Sequence, residues 1–286
     1  MALAHFVPEI WSGRVLQRLN KALVYRNVCT TEYEGEITAF GDVVKINEIG
    51  PIAVNTYSST STGALTVQHL TDAEKLLKID QAKYYAFWLD DVDNAQTKPK
   101  LLRDALDEAA YSLANNIDYN ISRLYLQAGL TVTGSATSGT AISSTNVLKY
   151  LSLAAQKLDE SNTPQAGRWI VVPPWLAQKM TLSKITLDTS NSDTIGSGFL
   201  GRTHYGFDVY ASNQVYHYSA PTTTGAILCG YKGSIALAVQ VLATRQESSG
   251  TIGFKSLCKG LVVYGTKVLR PNNLAVIWGT YTAEAS

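Results

Sequence analysis

From Leu77 to Trp88 the chain alternates with a period of two. Leu77, Ile79, Gln81, Lys83, Tyr85 and Phe87 fall on one phase; Lys78, Asp80, Ala82, Tyr84, Ala86 and Trp88 fall on the other. Successive side chains of a strand point to opposite faces, so residues 75–89 predict one extended stretch. Residues 36–40 and 43–54 are also of strand type, broken at Gly41-Asp42 and Gly50-Pro51. The polar run from Tyr57 to Gly63 lies between them as a tip. The simplest geometry is a long two-stranded arm within residues 31–95. A lone ribbon has no second layer over its apolar positions and leaves its strand edges open. That layer must come from the rest of the chain or from a neighbouring subunit.

The period then changes. Leu102, Leu106, Ala109, Leu113, Ile117, Ile121 and Leu124 recur at steps of three and four, which predicts a helix over residues 97–128. Thr97 or Lys98 is placed to cap it, Pro99 fits its first turn, and Gly129 ends it. Some thirty residues at 1.5 Å each would reach about 45 Å, long enough to span a subunit. Residues 130–145, rich in Thr, Ser and Gly, read as a connecting loop. A second helix starts after Ser144 or Thr145, with Leu148, Leu151, Ala155 and Leu158 on one face. Trp169-Ile170-Val171-Val172 is a strand of buried type, and Pro173-Pro174 opens a short helix over residues 175–182.

Residues 188–198 are a polar loop. Strands follow at 207–211, 226–229 and 235–242, then at 260–268 and 274–278 around a turn at Arg270-Pro271-Asn272-Asn273. At the other end, residues 8–25 carry Ile10, Val15, Leu16, Leu19, Leu23 and Val24 at roughly helical spacing. Arg14, Arg18, Lys21 and Arg26 there stand against a single acid, Glu9. This basic face fits either a solvated helix surface or one turned towards a polyanion.

Composition narrows the classes. The 286 residues suffice for one large core or two modest ones. Charged residues make up 16%, below the usual quarter, which suits surfaces that meet protein as well as a plain β-rich domain. A net charge of +1 argues against a dedicated nucleic-acid binder. Cys29, Cys229 and Cys258 are odd in number and widely spaced, which fits a reducing compartment rather than a disulfide framework. The N-terminus shows no secretory signal pattern, and no apolar run reaches membrane-spanning length, so the expected setting is solution, without a membrane.

Tests for chemistry come out negative. Gly196-Ser197-Gly198-Phe199-Leu200-Gly201 matches a dinucleotide string. A polar loop precedes it and a strand follows, where phosphate binding needs a strand and then a helix. His5, His69, His204 and His217 have no ligand spacing among themselves or with the cysteines. No G-x-S-x-G elbow anchors a triad. Asp90, Asp91 and Asp93 lack the Gly and Glu of a calcium loop and read as acids complementing a helix start. The sequence therefore predicts no enzyme, no cofactor and no metal.

One resemblance organises these elements. A basic arm, a long hairpin, a long helix, a mixed central domain and returning strands follow one another in a familiar order. Leu148 through Trp169-Ile170-Val171-Val172-Pro173-Pro174, Phe199-Leu200-Gly201 through Tyr205-Gly206-Phe207-Asp208-Val209-Tyr210, and Ala226-Ile227-Leu228-Cys229-Gly230 through Ala238 carry it. In that order they resemble the HK97-fold major capsid protein of tailed double-stranded DNA bacteriophages.

The resemblance implies an α+β, HK97-like capsid fold. Its parts would be an N-terminal arm (1–30), an extended β-hairpin E-loop (31–95) and a peripheral domain with the spine helix (96–145). An axial domain (146–255) and C-terminal strands returning to the peripheral domain (256–286) would complete it. It implies no catalytic residues. The implied function is self-assembly through hexamers and pentamers into an icosahedral shell around DNA, in a virion put together in the host cytoplasm. Scaffolding, portal and decoration proteins are the implied partners, and the near-immediate start of the arm points to scaffolding that is separate or absent. Arg14, Arg18, Lys21, Lys98, Lys100 and Arg103 become the candidates for non-specific contacts to packaged DNA. Residues 187–199 become the candidate loop at the capsomer centre. The same fold also serves an encapsulin-like shell that packages a cargo enzyme.

Overall fold

A computed structural model of the chain describes residues 19, 23–33, 41–49, 54, 72–90, 100–183, 199–202, 206–219, 223–248 and 255–282. Its centre is a mixed sheet whose inner strands are buried on both faces. β4 (Leu130–Thr133), β5 (Thr140–Ile142), β6 (Arg168–Val172), β7 (Phe199–Arg202) and β8 (Phe207–Ala211) belong to it. So do β9 (His217–Ser219), β10 (Thr223–Tyr231) and β13 (Leu274–Tyr281). The main path runs β4-β13-β10-β6-β8-β7, with β5 beside β13 and β9 beside β10.

The two-residue period splits its core into two clusters. Trp169, Val171, Ala226, Leu228, Leu274 and Val276 point to one side. There they meet Leu113, Ile117, Ile121 and Leu124 of the long helix region. Ile170, Val172, Ile227, Cys229, Ala275 and Ile277 point to the other side, against Leu151, Ala154, Leu158, Leu176 and Met180. Double coverage explains why 169–172 and 226–229 read as unbroken apolar runs rather than alternating ones.

The long helix, α1 (Lys100–Ser122), is followed directly by a 3-10 segment, Arg123–Gln127. At 1.5 Å per residue its α-helical part is about 35 Å long. α2 (Val147–Glu160) and α3 (Pro174–Leu182) cover the second face. Pro173 stands at the N-cap of α3, with Pro174 in its first turn, as the sequence predicts.

Asn146, rather than Ser144 or Thr145, precedes α2. Its side chain staples the preceding turn instead of capping the helix. Oδ1 accepts from the Ser143 N–H (2.8 Å), and Nδ2 donates to the Ala141 carbonyl (3.0 Å).

A second sheet, three-stranded, runs β11 (Ile235–Ser248), β12 (Lys255–Val268) and β3 (Gln81–Asp90). A third unit pairs β1 (Val43–Ile49) with β2 (Asp72–Lys78), antiparallel. The stretch 75–89, read from the sequence as one segment, is therefore two strands in two different sheets. The chain passes from β2 to β3 through Ile79 and Asp80 while keeping its alternation unbroken.

The ribbon of β1 and β2 does not stand alone. Val44, Ile46, Leu77 and Ile79 pack on Ala236, Ala238 and Val263 of β11 and β12. Gly265 lies so close to the Lys78 carbonyl oxygen that any Cβ there would overlap it. For the described part of the arm, the missing second layer is the rest of the same chain. The tip from Tyr57 to Gly63 lies outside the described residues.

The Ser/Thr-rich connection 130–145 holds more structure than the sequence predicts. β4 and β5 both pair in parallel with β13, a partnership about 140 residues away that no local signal encodes. Gly129 ends the helical run by close approach: its N–H donates to the Pro271 carbonyl at 2.9 Å, and a side chain there would strike Pro271.

Candidate assembly surface

Towards Trp88 the three-stranded sheet has one covered face and, among the described residues, one bare face, whereas its other end is covered on both. On the covered side Tyr85, Phe87 and Cys258 meet Leu106 and Ala110 of α1. Register fixes the bare side, because residues directly opposite one another share a face. Trp88 lies opposite Leu257, which lies opposite Glu247; Ala86 opposite Lys259 opposite Arg245; Tyr84 opposite Leu261.

The result is a strip of aromatic and aliphatic groups at the sheet surface. Tyr84 is 77% exposed and Trp88 52%. A shallow groove of about 450 Å³ is lined by Tyr84, Ala86, Arg245, Lys259, Gly260 and Leu261. Lys259 Nζ donates to Glu247 Oε2 at 2.7 Å, and this hydrogen bond holds the Glu247 carboxyl below its ordinary range. Strand edges are also open among the described residues, the far sides of β1 and β3 included. Bare aromatic surface beside unpaired strand edges favours association with further protein over life as a monomer.

The sequence held the signal for this strip. Tyr84 and Trp88 sit on the phase of the alternation that the structure exposes, while Tyr85 and Phe87 sit on the phase it covers. Two aromatic residues on the solvent phase were the clue.

The residues singled out for DNA contact lie almost wholly outside the description. Arg14, Arg18, Lys21 and Lys98 lie outside the described residues. Lys100 and Arg103 fall at the start of α1, with their side chains outside the description. Downstream on α1, Asp104 and Glu108 are exposed and Asp107 is half-buried, so this part of the helix surface is acidic. Residues 187–198 and Asp91 and Asp93 also lie outside the described residues. The described part of the Gly-rich string, Phe199 to Gly201, lies in the strand Phe199–Arg202.

No group of three or more potential metal ligands occurs among the described residues, and no described helix is long and apolar enough to cross a membrane. Cys29, Cys229 and Cys258 are free and buried, and burial pushes the Cys229 thiol up to about 12.

Two buried ionic residues had no sequence signal. Arg168, fully buried at the start of β6, donates to Asp159 Oδ1 (2.6 Å) and to the carbonyls of Thr163 (2.6 Å) and Pro164 (3.0 Å). Asp118, on the buried face of α1, accepts from the backbone N–H groups of Val24 (2.9 Å) and Tyr25 (3.2 Å).

No protein-family model matches the chain, and no curated protein sequence does. Solved structures do. A structure from Mycobacterium phage Che8 shares 24% identity and superposes with a TM-score of 0.68, covering 89% of this chain and 90% of that one. The capsid of cyanophage P-SCSP1u shares 17% identity with a TM-score of 0.66, over 90% and 88% of the two chains. A virus-like particle from Pyrococcus furiosus shares 11% identity with a TM-score of 0.56, over 95% and 99%. The chain has the α+β, HK97-like fold of phage capsid proteins.

Proposed function

We propose that this chain is the major capsid protein of a tailed double-stranded DNA phage, a structural protein that assembles through hexamers and pentamers into an icosahedral shell. The observation that carries the reading is the agreement of fold with phage structures over about nine-tenths of both chains. The bare strip around Tyr84 and Trp88 supports it independently, because an assembling subunit must keep such surface for its neighbours.

In this reading residues 1–30 are the arm, 31–95 the E-loop, and 96–145 the peripheral domain with α1 as its spine. Residues 146–255 form the axial domain, and 256–286 return to the peripheral domain. The root of the E-loop rests on its own chain, and its tip lies across the adjacent subunit. Arg14, Arg18, Lys21, Lys98, Lys100 and Arg103 touch packaged DNA without sequence preference. Each copy needs little charge because many copies act together. Scaffolding, portal and decoration proteins complete the assembly in the host cytoplasm.

A second reading, an encapsulin-like shell around a cargo enzyme, is favoured by the near-complete overlap with the Pyrococcus particle. Electron microscopy of the purified protein, with scaffold co-expressed, tests both. Closed shells are expected, and only monomers or small oligomers under every condition would remove both readings. The contents of filled shells then separate them: nucleic acid supports the phage protein, a packaged enzyme the compartment.

A further inference from the structure

The groove beside Tyr84 has a composition that selects what can cover it. Of its six lining residues, Tyr84, Ala86, Arg245, Lys259, Gly260 and Leu261, two are cations and none is an acid. Both cations stand in one row across the sheet, Ala86 opposite Lys259 opposite Arg245. The adjoining row of Tyr84 and Leu261 supplies an apolar wall.

This charge is only partly balanced within the sheet. Glu247, in the row of Leu257 and Trp88, accepts from Lys259 Nζ at 2.7 Å. One row further out, Asp90 stands opposite Lys255, and the two charges sum to zero. One carboxylate, Glu247, thus stands against the two cations of the groove, and the exposed Arg245 relies on water.

Water serves the guanidinium only while the groove stays open. A neighbour that covers it strips that hydration away, and a desolvated cation without an opposing charge is strongly unfavourable. A purely apolar partner is therefore a poor occupant, despite the aromatic strip alongside. A carboxylate restores the balance, because its two oxygens match the guanidinium fork in parallel N–H···O bonds.

We propose that the groove receives an Asp or Glu side chain of a second copy of this chain, with Arg245 taking the carboxylate and apolar residues beside it lying on Tyr84, Leu261 and Trp88. The identity of the occupant rests on the shell reading; the chemistry of the contact is what the groove adds to it. Assembly then depends on charge as well as apolar area. Encounter is steered towards the cation, and a surface lacking an acid is rejected because it would bury Arg245 unpaired.

Carbodiimide coupling identifies the carboxylate. Arg245→Lys places a primary amine in the groove; the reagent activates a carboxyl group held against it, and the amine displaces the activated group to form an amide with net loss of water. When isotopically heavy and normal protein are assembled together, mass spectrometry of the digested product shows whether the joined peptides come from one copy or two. Position 245 should couple to an Asp or Glu of another copy in assembled particles, and not in dissociated protein. Arg245→Glu, shown to be folded by circular dichroism, should slow assembly by about tenfold or more. Arg245→Gln should slow it less and leave it less sensitive to salt than the parent. Shells forming at the parent rate from Arg245→Glu, or assembled Arg245→Lys protein in which position 245 couples to no other copy, would overturn the proposal and leave the shell reading standing. Protein that assembles under no condition would remove both.

Discussion

The ring of Tyr85 lies across Gly260, its registered partner on β12, so closely that a methyl group on Gly260 would overlap the ring. An aromatic residue laid over a cross-strand glycine fills the surface the glycine leaves empty and pins the register. Gly265, five residues on, makes a harder contact, because the Lys78 backbone carbonyl occupies the same kind of space. A side-chain ring can swing aside, whereas a carbonyl held at the root of the arm cannot. Gly260→Ala should cost about 1 kcal/mol and Gly265→Ala about 3 kcal/mol, in the range seen for overpacked sites. Chemical denaturation of the two variants checks the ranking, and equal costs would contradict it.

Tyr84 and Trp88 are exposed, so replacing them with Asp should leave the fold within about 0.5 kcal/mol of the parent. Assembly should fail instead, because two charges placed on the strip oppose its desolvation against a neighbour. Circular dichroism and sedimentation of the double variant separate the outcomes. Folded protein that still closes into normal shells would show that the strip is not a contact.

Arg168 is enclosed by two carbonyls and one carboxylate, but its partner Asp159 is half-exposed. Removing the cation strands buried acceptors, while neutralising the acid leaves the guanidinium two good bonds. Arg168→Met should lose about 3 kcal/mol and Asp159→Asn about 1 kcal/mol in denaturant midpoints converted to free energy. The reverse order would refute this division of roles.

Replacing Arg14, Arg18, Lys21, Lys98, Lys100 and Arg103 with Gln tests the proposed contacts to packaged DNA. Empty shells should form at normal yield, whereas filled ones should be fewer and their hold on DNA weaker and less dependent on salt. Equal damage to empty and filled particles would mean that these positions serve the shell itself.

Much of this fold was legible where periodicity reports burial. The alternation from Leu77 to Trp88 predicts which side chains are covered, and the three- and four-residue steps from Leu106 to Leu124 predict the buried face of α1. Partners in space left no such trace. Nothing in 75–89 marks Ile79-Asp80 as the passage between two sheets, since the same alternation serves both. The Thr-rich pieces 130–133 and 140–142 become strands only because β13 arrives beside them. Asp118 and Arg168 are polar residues at apolar positions, and their bonds to Val24, Tyr25, Thr163 and Pro164 depend on turns that residue type alone does not specify.

β13 lies in the middle of the eight-stranded sheet, between β10 and β4, although it follows every other strand of that sheet in sequence. Among the described residues β4 and β5 have no strand partner but β13. During synthesis, then, the sheet stays in separate pieces until residues 274–281 have left the ribosome. The long range of these pairings makes closure a late and comparatively slow event. A product that ends before residue 274 lacks the strand that joins β4 and β5 to the rest of the sheet, so its own topology keeps it from completing the fold.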